Sequence, residues 1–387
     1  MRNISIGIEV GSAKTRVLVA EILKGEKNPK IIGVGESDTE GIKHGYITNV
    51  SLASESIRKA VEMAEKSSEL KIKKASIALG GFTLLGEKSS GSSIVSKADG
   101  EVTFLDIEKA IEDAENNLKS DNKKIIKTIP LLFKLDGQEV LGDPEGMKGT
   151  KLEIDTLFIT YSSQHFEKLL DALTEIGVEP IEIIPANYSA SDIVLSKKDK
   201  MLGAVLVNIG SHTLTVSVFE NEKMISLQTF PIGSSSVIND IALGMKVSLE
   251  KAEDFLFNGV DSSQTRKKLE EIIEARVSDF FTVVTKHLRK VNRNEVLPAG
   301  AVFIGGGSKI NNLEKMSTDT LSLPSRIGIT EMFNSSTKTK LRDPSWFCVL
   351  GLLNAEKDNY DYSNNSYAGL WKNIKNTIKS SIKQLMP

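Results

Sequence analysis

Three short glycine-bearing segments hold the residue types best suited to chemistry: Gly11-Ser12-Ala13-Lys14, Gly210-Ser211-His212-Thr213 and Gly305-Gly306-Gly307-Ser308. A tight turn of glycine and small hydroxyl residues aims several backbone N–H groups at one spot, and such a cradle suits phosphate. Two such turns facing each other across a cleft could clamp a triphosphate. The third, expected at a helix N-terminus, could admit a base and ribose by close backbone approach. One glycine turn is most often only a turn; three in this order carry more weight.

Regular elements must hold these turns in place. Residues 4–10 and 15–21 read as strands around the first turn, with a third strand near 31–36. Residues 203–209, 214–220 and 223–230 repeat that order around the second turn, about 200 residues later. The repeat predicts a duplicated, two-lobed α/β protein. Helices are expected over 51–67 (Leu52, Ile57, Val61 and Ala64 on one face), 164–177, 187–195, 234–243, 248–257, 264–290 and 310–316, and strands over 75–79, 157–161, 179–185 and 301–304. Between them the texture changes. A Ser/Gly-rich stretch (89–96), a helix (106–119), a strand (124–135) and a turn-rich loop (142–149) suggest an inserted subdomain over 82–154.

With 387 residues, 40% hydrophobic and 26% charged, the chain has the composition of a soluble globular protein of two or more domains. Lys+Arg 49 against Asp+Glu 51 gives no global field, so composition offers no case for nucleic acid. A single cysteine, Cys348, excludes an intramolecular disulfide and fits a reducing cytoplasm. Its apolar neighbours Trp346, Phe347, Val349 and Leu350 make it a buried structural thiol rather than a nucleophile. His44, His165, His212 and His287 lack metal-ligand spacing. No signal peptide and no membrane span is expected, since the N-terminus enters a strand and no run of about 18 apolar residues occurs.

Residues 369–387 read GLWKNIKNTIKSSIKQLMP. At 100° per residue, Leu370, Trp371, Ile374, Ile378, Ile382, Leu385 and Met386 share a face, flanked by Lys372, Lys375, Lys379 and Lys383, with no acidic side chain. A basic amphipathic helix with an interfacial Trp is the pattern of a helix lying in a membrane surface. Each Lys near anionic lipid contributes roughly 1 kcal/mol. A final helix packed on the protein's own core, or one held in a partner's groove, fits the same spacing. The polar stretch before it, EKDNYDYSNNS, reads as a flexible linker and favours the membrane.

In the order of its motifs the chain resembles the actin/Hsp70/hexokinase ATPase superfamily, and within it the FtsA family of bacterial actin-like division proteins. The resemblance rests on GIEVGSAKT (7–15), GVGESDTEGIKHGYITN (33–49), DPEGMKGTKLE (143–153), IIEARVSDFF (272–281) and LPAGAVFIGGGSKINNLE (297–314), and covers essentially the whole chain. It implies an actin-like fold with duplicated RNase H-like lobes, an inserted 1C-type subdomain and a C-terminal amphipathic helix. The expected partition is 1–81 with 155–200 and 330–355 (1A), 82–154 (1C), 201–245 with 298–329 (2A), 246–297 (2B), a linker over 356–368 and the helix over 369–387.

The departures from the family pattern bear on chemistry. Family members usually carry Asp where this chain has Glu9, and Asp-Ile-Gly-Gly-Gly-Thr-Thr-Asp where it reads Asn208 to Thr215. Mg²⁺ takes carboxylate, phosphate and water in an octahedral shell, so losing acids weakens metal placement and polarisation of attacking water. Glu9 could still act through a water. His212 places an imidazole where glycine lets phosphate approach. In the family's Ala-Glu-x-x-Lys run, Ala252 and Glu253 remain but Leu256 replaces Lys, and Glu253 could reach a ribose hydroxyl or simply face solvent.

These departures point to at most a very weak ATPase with no metal site beyond Glu9 acting through a water, ATP being the candidate cofactor and Mg²⁺ a doubtful one. ATP would rest on Gly11, Ser12, Lys14, Gly210, Thr213, Glu253, Gly305, Gly306, Gly307 and Ser308. It further implies a cytoplasmic adaptor, peripheral on the inner face of the cell membrane at the division site. Such an adaptor polymerises with itself, meets other division proteins and tethers FtsZ by its C-terminal tail. Lys286, Arg289, Lys290 and Arg293, interleaved with Phe280, Phe281, Val283 and Val284, are the candidate surface for that acidic-apolar peptide. Leu370, Trp371, Lys372, Ile374, Lys375, Ile378, Lys379, Ile382, Lys383 and Leu385 would meet lipid. A PilM-like pilus scaffold and an active kinase-like enzyme of the same superfamily are the alternatives.

Overall fold

A computed structural model describes residues 3–23, 25–26, 28–118, 122–332 and 339–361. The tail at 369–387 and the later part of the expected linker lie outside the described residues. The chain divides into two units. The larger takes Met1–Glu87, Asp121–Lys127 and Ile159–Leu353; the smaller takes Lys88–Ser120, Thr128–Phe158 and the stretch from Asn354.

The larger unit opens with strands β1 (Asn3–Val10), β2 (Lys14–Ile22) and β3 (Lys30–Asp38), then a tight hairpin, β4 (Ile42–Lys43) and β5 (Tyr46–Ile47). Helix α1 (Val50–Ser68) follows, started by the Asn49 side chain, which accepts from the Leu52 N–H, and β6 (Lys74–Leu79) comes next. The α1 stripe Ala53, Ile57, Ala60, Val61 and Ala64 is buried, but Leu52, expected on that face, is 44% exposed. It sits on the opening turn, about 100° off the stripe.

The chain then crosses into the smaller unit along β7 (Leu85–Ile94) and forms α2 (Phe104–Asn116), β8 (Lys123–Leu135), β9 (Gln138–Val140) and β10 (Lys151–Ser162). The Ser/Gly texture of 89–96 is thus largely strand. Gly91 lets α2 lie against it, since a Cβ there would come within 2.2 Å of the Ala110 carbonyl oxygen. Asp106 closes α2's capping box with Thr103.

Back in the larger unit come α3 (Ser163–Glu175), β11 (Glu179–Pro185), α4 (Ala186–Val194) and the short α5 (Lys197–Leu202). The second set is β12 (Ala204–Ile209), β13 (Leu214–Glu220), β14 (Lys223–Phe230), α6 (Ser234–Met245), α7 (Leu249–Asn258), α8 (Ser263–Lys290), β15 (Ala301–Ile304), α9 (Leu313–Leu321), β16 (Ser325–Ile327) and α10 (Phe347–Asp361).

The two sets share one strand order, β11-β6-β1-β2-β3 as a five-stranded sheet and β16-β15-β12-β13-β14 as five consecutive strands of a nine-stranded one. Strand β1 runs antiparallel to β2 and parallel to β6, just as β12 runs antiparallel to β13 and parallel to β15. The internal repeat read from the sequence is therefore architectural. The central strands are apolar almost throughout: Val17 to Ala20 and Val205 to Val207 are all buried, as strands covered on both faces must be. Over the second sheet, Val237, Ile241, Leu256, Phe280, Phe281 and Val284 supply the helical half of the core.

Two boundaries differ from expectation. A 3-10 turn over Gly306–Lys309 follows β15, so α9 begins at Leu313 rather than 310. Helix α10 continues through Asp361, covering the first residues of the expected linker. The apolar stretch Phe347 to Leu353 nucleates that helix, and propagation into polar residues costs far less than nucleation.

Candidate functional site

The first turn closes with Gly11 N–H donating to Lys14 O at 3.1 Å, and the second with Gly210 N–H donating to Thr213 O at 2.8 Å. Helix α6 pins the second turn: the Ser234 and Ser235 N–H groups donate to the Gly210 and Ser211 carbonyls, both at 2.9 Å, and Ser235 Oγ adds a 2.7 Å bond. The helix's positive end is thus partly satisfied by the turn itself.

The third turn is brought alongside by β12–β15 pairing, which sets Asn208 opposite Ile304. Gly305, at φ +85°, lies so close to β12 that a Cβ would fall 2.4 Å from Asn208 Oδ1, and one on Gly307 would fall 2.4 Å from Ile209 Cγ2. Gly306 faces open space. Ser308 is buried and its Oγ donates to Gly305 O at 2.7 Å, so its hydroxyl braces the turn rather than facing outward.

The corner His44-Gly45 of the β4–β5 hairpin joins the first two turns. The Gly45 N–H donates to Ser12 Oγ at 2.9 Å, and His44 Nδ1 lies 2.9 Å from the His212 carbonyl. The corner is braced behind: Phe82 N–H donates to His44 O, and Tyr161 Oη to Gly45 O. Gly45 has φ +77°, and a Cβ there would meet Gly81 Cα at 2.1 Å. The imidazoles of His44 and His212 stand 5.5 Å apart. His212 is held below its usual pKa by burial first, then by His44 and Lys43.

Two of the three positions that differ from the family's acids, Glu9 and Asn208, meet at one thiol, whereas Thr215 pairs with Thr229. Asn208 Nδ2 contacts Cys348 Sγ at 3.4 Å, and the Glu9 carboxyl acts on the same thiol. Burial pushes Glu9 up, against the pull of Arg16. Its Oε2 is buried without a hydrogen-bond partner, but it already faces the Arg16 guanidinium at 3.8 Å. A divalent cation there would meet that positive charge, so the residues present fit a phosphate cradle better than a metal shell. Burial, then the Glu9 charge, raises the Cys348 thiol well above its ordinary range, consistent with an inert structural cysteine.

The remaining expected residues scatter. Lys14 Nζ is 2.5 Å from Asp38 Oδ1 in an exposed pair. Glu253 is exposed on α7, away from the core-facing Ala252 and Leu256. On α8, Lys286, Arg289 and Lys290 are exposed, whereas Phe280, Phe281 and Val284 are buried and form no mixed surface with them. Arg293 is committed to Glu220 through Nη2 at 2.6 Å and Nε at 3.0 Å. The residues from Leu370 to Leu385 that were expected to meet lipid lie outside the described residues. Sequence reasoning missed the His44-Gly45 corner, the Cys348 link and the Ser234-Ser235 clasp. Only the last had a local signal, a glycine and serines opening a helix.

Two like sheets, each opening on a glycine turn, with a third turn packed against the second, define an actin-like protein. Solved structures of that fold align over nearly the whole chain. The PilM–PilN type IV pilus biogenesis complex gives a TM-score of 0.68 at 15% identity, covering 92% of this chain and 99% of that one. MreB5 of Spiroplasma citri bound to AMPPNP gives 0.54 at 12% identity, covering 97% and 99%. More specifically, the chain belongs to the FtsA family of cell-division proteins. The family model described as "Cell division protein FtsA" matches residues 205–351, and that of the SHS2 domain inserted in FtsA matches 83–160. FtsA of Bacillus subtilis is 29% identical, covering 90% of this chain and 82% of its own. FtsA of Borreliella burgdorferi is 25% identical over 99% and 98%, and that of Escherichia coli K12 is 24% identical over 99% and 97%.

Proposed function

We propose that this protein is a scaffold of the division site: it assembles with itself on the inner membrane surface, holds FtsZ there by its tail, and carries nucleotide while hydrolysing it very slowly at most. The observation that supports the reading is the fate of the acidic positions. Glu9 and Asn208 meet at Cys348, with Arg16 facing Glu9, while the three glycine turns beside them remain gathered. That arrangement keeps a cradle and gives up the groups that polarise water. Nucleotide is bound in the MreB5 structure of the same fold.

The anchor rests on the sequence of 369–387. One such helix binds reversibly, and assembly multiplies avidity by about 10² to 10⁴ without new contacts. Pelleting the full-length protein and a chain ending at Ser366 with anionic liposomes tests it; equal pelleting refutes the anchor. For FtsZ, Arg293 drops out because Glu220 holds it. Charge reversal at Lys286, Arg289 and Lys290 is expected to weaken an FtsZ tail peptide at least tenfold, and unchanged affinity moves the site elsewhere. Phosphate release from Mg-ATP should stay near background, and steady turnover abolished by Asn208→Ala would restore the enzyme reading.

A further inference from the structure

We propose that His44 and His212 form a two-imidazole seat for the terminal phosphates of a nucleoside polyphosphate bound without a divalent cation. The proposal rests on the nucleotide-binding reading above and adds how the charge is met.

The geometry supplies the seat. The His44-Gly45 corner is bonded to both phosphate-type turns, through Ser12 Oγ and through the His212 carbonyl, so its imidazole lies where the turns converge. A carbonyl oxygen only accepts, so His44 Nδ1 carries its hydrogen and a second proton goes to Nε2. The His212 ring stands 5.5 Å away, and its Nδ1 is buried with no hydrogen-bond partner. Among the described residues, His44 and Lys43 are the titratable groups acting on His212, and the neighbouring α6 terminus presents Ser234 and Ser235.

The alternative source of positive charge is weak. A cation near Glu9 would meet Arg16, and Asn208 offers a neutral amide already on Cys348. With no anion present, burial first, and then His44 and Lys43, disfavour protonation of the His212 imidazole. A phosphate anion reverses that balance and draws a proton onto the pair. Binding is then linked to proton uptake, and each proton taken up contributes up to tenfold in affinity per pH unit.

The test uses the full-length chain. ATP binding is measured by calorimetry at pH 6.0 and 8.0, with EDTA or with MgCl₂, for the wild type and for His44→Asn with His212→Asn. Asn tolerates the left-handed backbone of His44 (φ +52°) and can still donate to the His212 carbonyl position. ATP's own titration is common to both proteins and cancels. The expected result is wild-type binding in EDTA that tightens at least tenfold from pH 8.0 to 6.0 relative to the variant, whose circular dichroism matches wild type. Single His212→Asn should lose part of that gain, which guards against a misfolded double variant. Binding that requires Mg²⁺, or that shows equal pH dependence in both proteins, overturns the seat and leaves nucleotide binding standing. No binding of 1 mM ATP under any condition overturns both.

Discussion

Lowering the pH from 7.5 to 5.0 should cost this protein about 2 kcal/mol of stability through one residue, His287. The side chain sits on α8 at 6% exposure, with Nε2 at 2.9 Å from Ser226 Oγ and the Phe230 ring edge-on. Burial first, and Lys290 second, push the imidazole down to about 4 from its usual 6.5. The folded value lies below the unfolded one, so between these values the unfolded chain takes a proton that the folded chain refuses. Stability therefore falls as pH drops through 6.5, and the loss is complete near 4. The full shift is worth about 3 kcal/mol at 1.36 kcal/mol per unit, of which about 2 has gone by pH 5.0. Carboxylates titrate over part of the same range, so the measurement is a difference of differences. Urea denaturation followed by far-UV circular dichroism at both pH values compares wild type with His287→Gln, which keeps a partner for Ser226 but does not titrate. The variant should lose about 2 kcal/mol less than wild type on acidification. Losses equal to within about 0.5 kcal/mol would refute the burial argument.

Gly45→Ala should lower stability by about 2 kcal/mol or more in a urea melt, because a Cβ would strike Gly81 Cα at 2.1 Å. Gly137→Ala, at a similar φ with nothing within 4 Å, should cost about 1 kcal/mol and serves as the backbone-strain control. Arg16→Met removes the cation shared by Glu9 (3.8 Å) and Glu36 (3.1 Å). It should cost about 3 kcal/mol at pH 7 and less at pH 4, where protonated Glu9 no longer needs it. Arg293→Ala should cost about 1 kcal/mol through its one-third-exposed pair with Glu220 while leaving FtsZ tail affinity unchanged in a peptide titration. Gly306→Leu should leave the melt within about 0.5 kcal/mol of wild type and weaken nucleotide binding more than tenfold, read by calorimetry.

The strand–turn–strand repeat was legible because its signals are local: alternating or continuous apolar runs broken by a glycine turn. The residues that knit the site were not, because they meet through space. Asn208 and Cys348 are 140 positions apart and His44 and the His212 carbonyl 168, separations that no window on the sequence spans. The α8 surface was misread for a different reason. Leu269, Ile273, Val277, Phe280, Val284 and Leu288 recur at helical spacing and mark a core stripe, so the phenylalanines belong with it rather than with the neighbouring cations. The α9 start was misplaced because the run after β15 tightens into a 3-10 turn whose serine folds back on Gly305.

The glycines of the third turn do not all testify to the same thing. Gly305 and Gly307 are demanded by the fold: β12 presses against both, and no side chain fits at either. A chain that had given up nucleotide altogether would keep them for packing alone. Gly306 is under no such demand, since nothing lies within 4 Å of its would-be Cβ and its φ is not in the left-handed region. Its bare backbone has no structural use, so a side chain placed there probes only what enters the cleft from outside. A leucine that blocks ATP without moving the melt would show that the open space is occupied in the working protein. A leucine that moves neither would mean that the third turn is packing, and that nucleotide, if held, is held by the first two turns and the imidazoles between them.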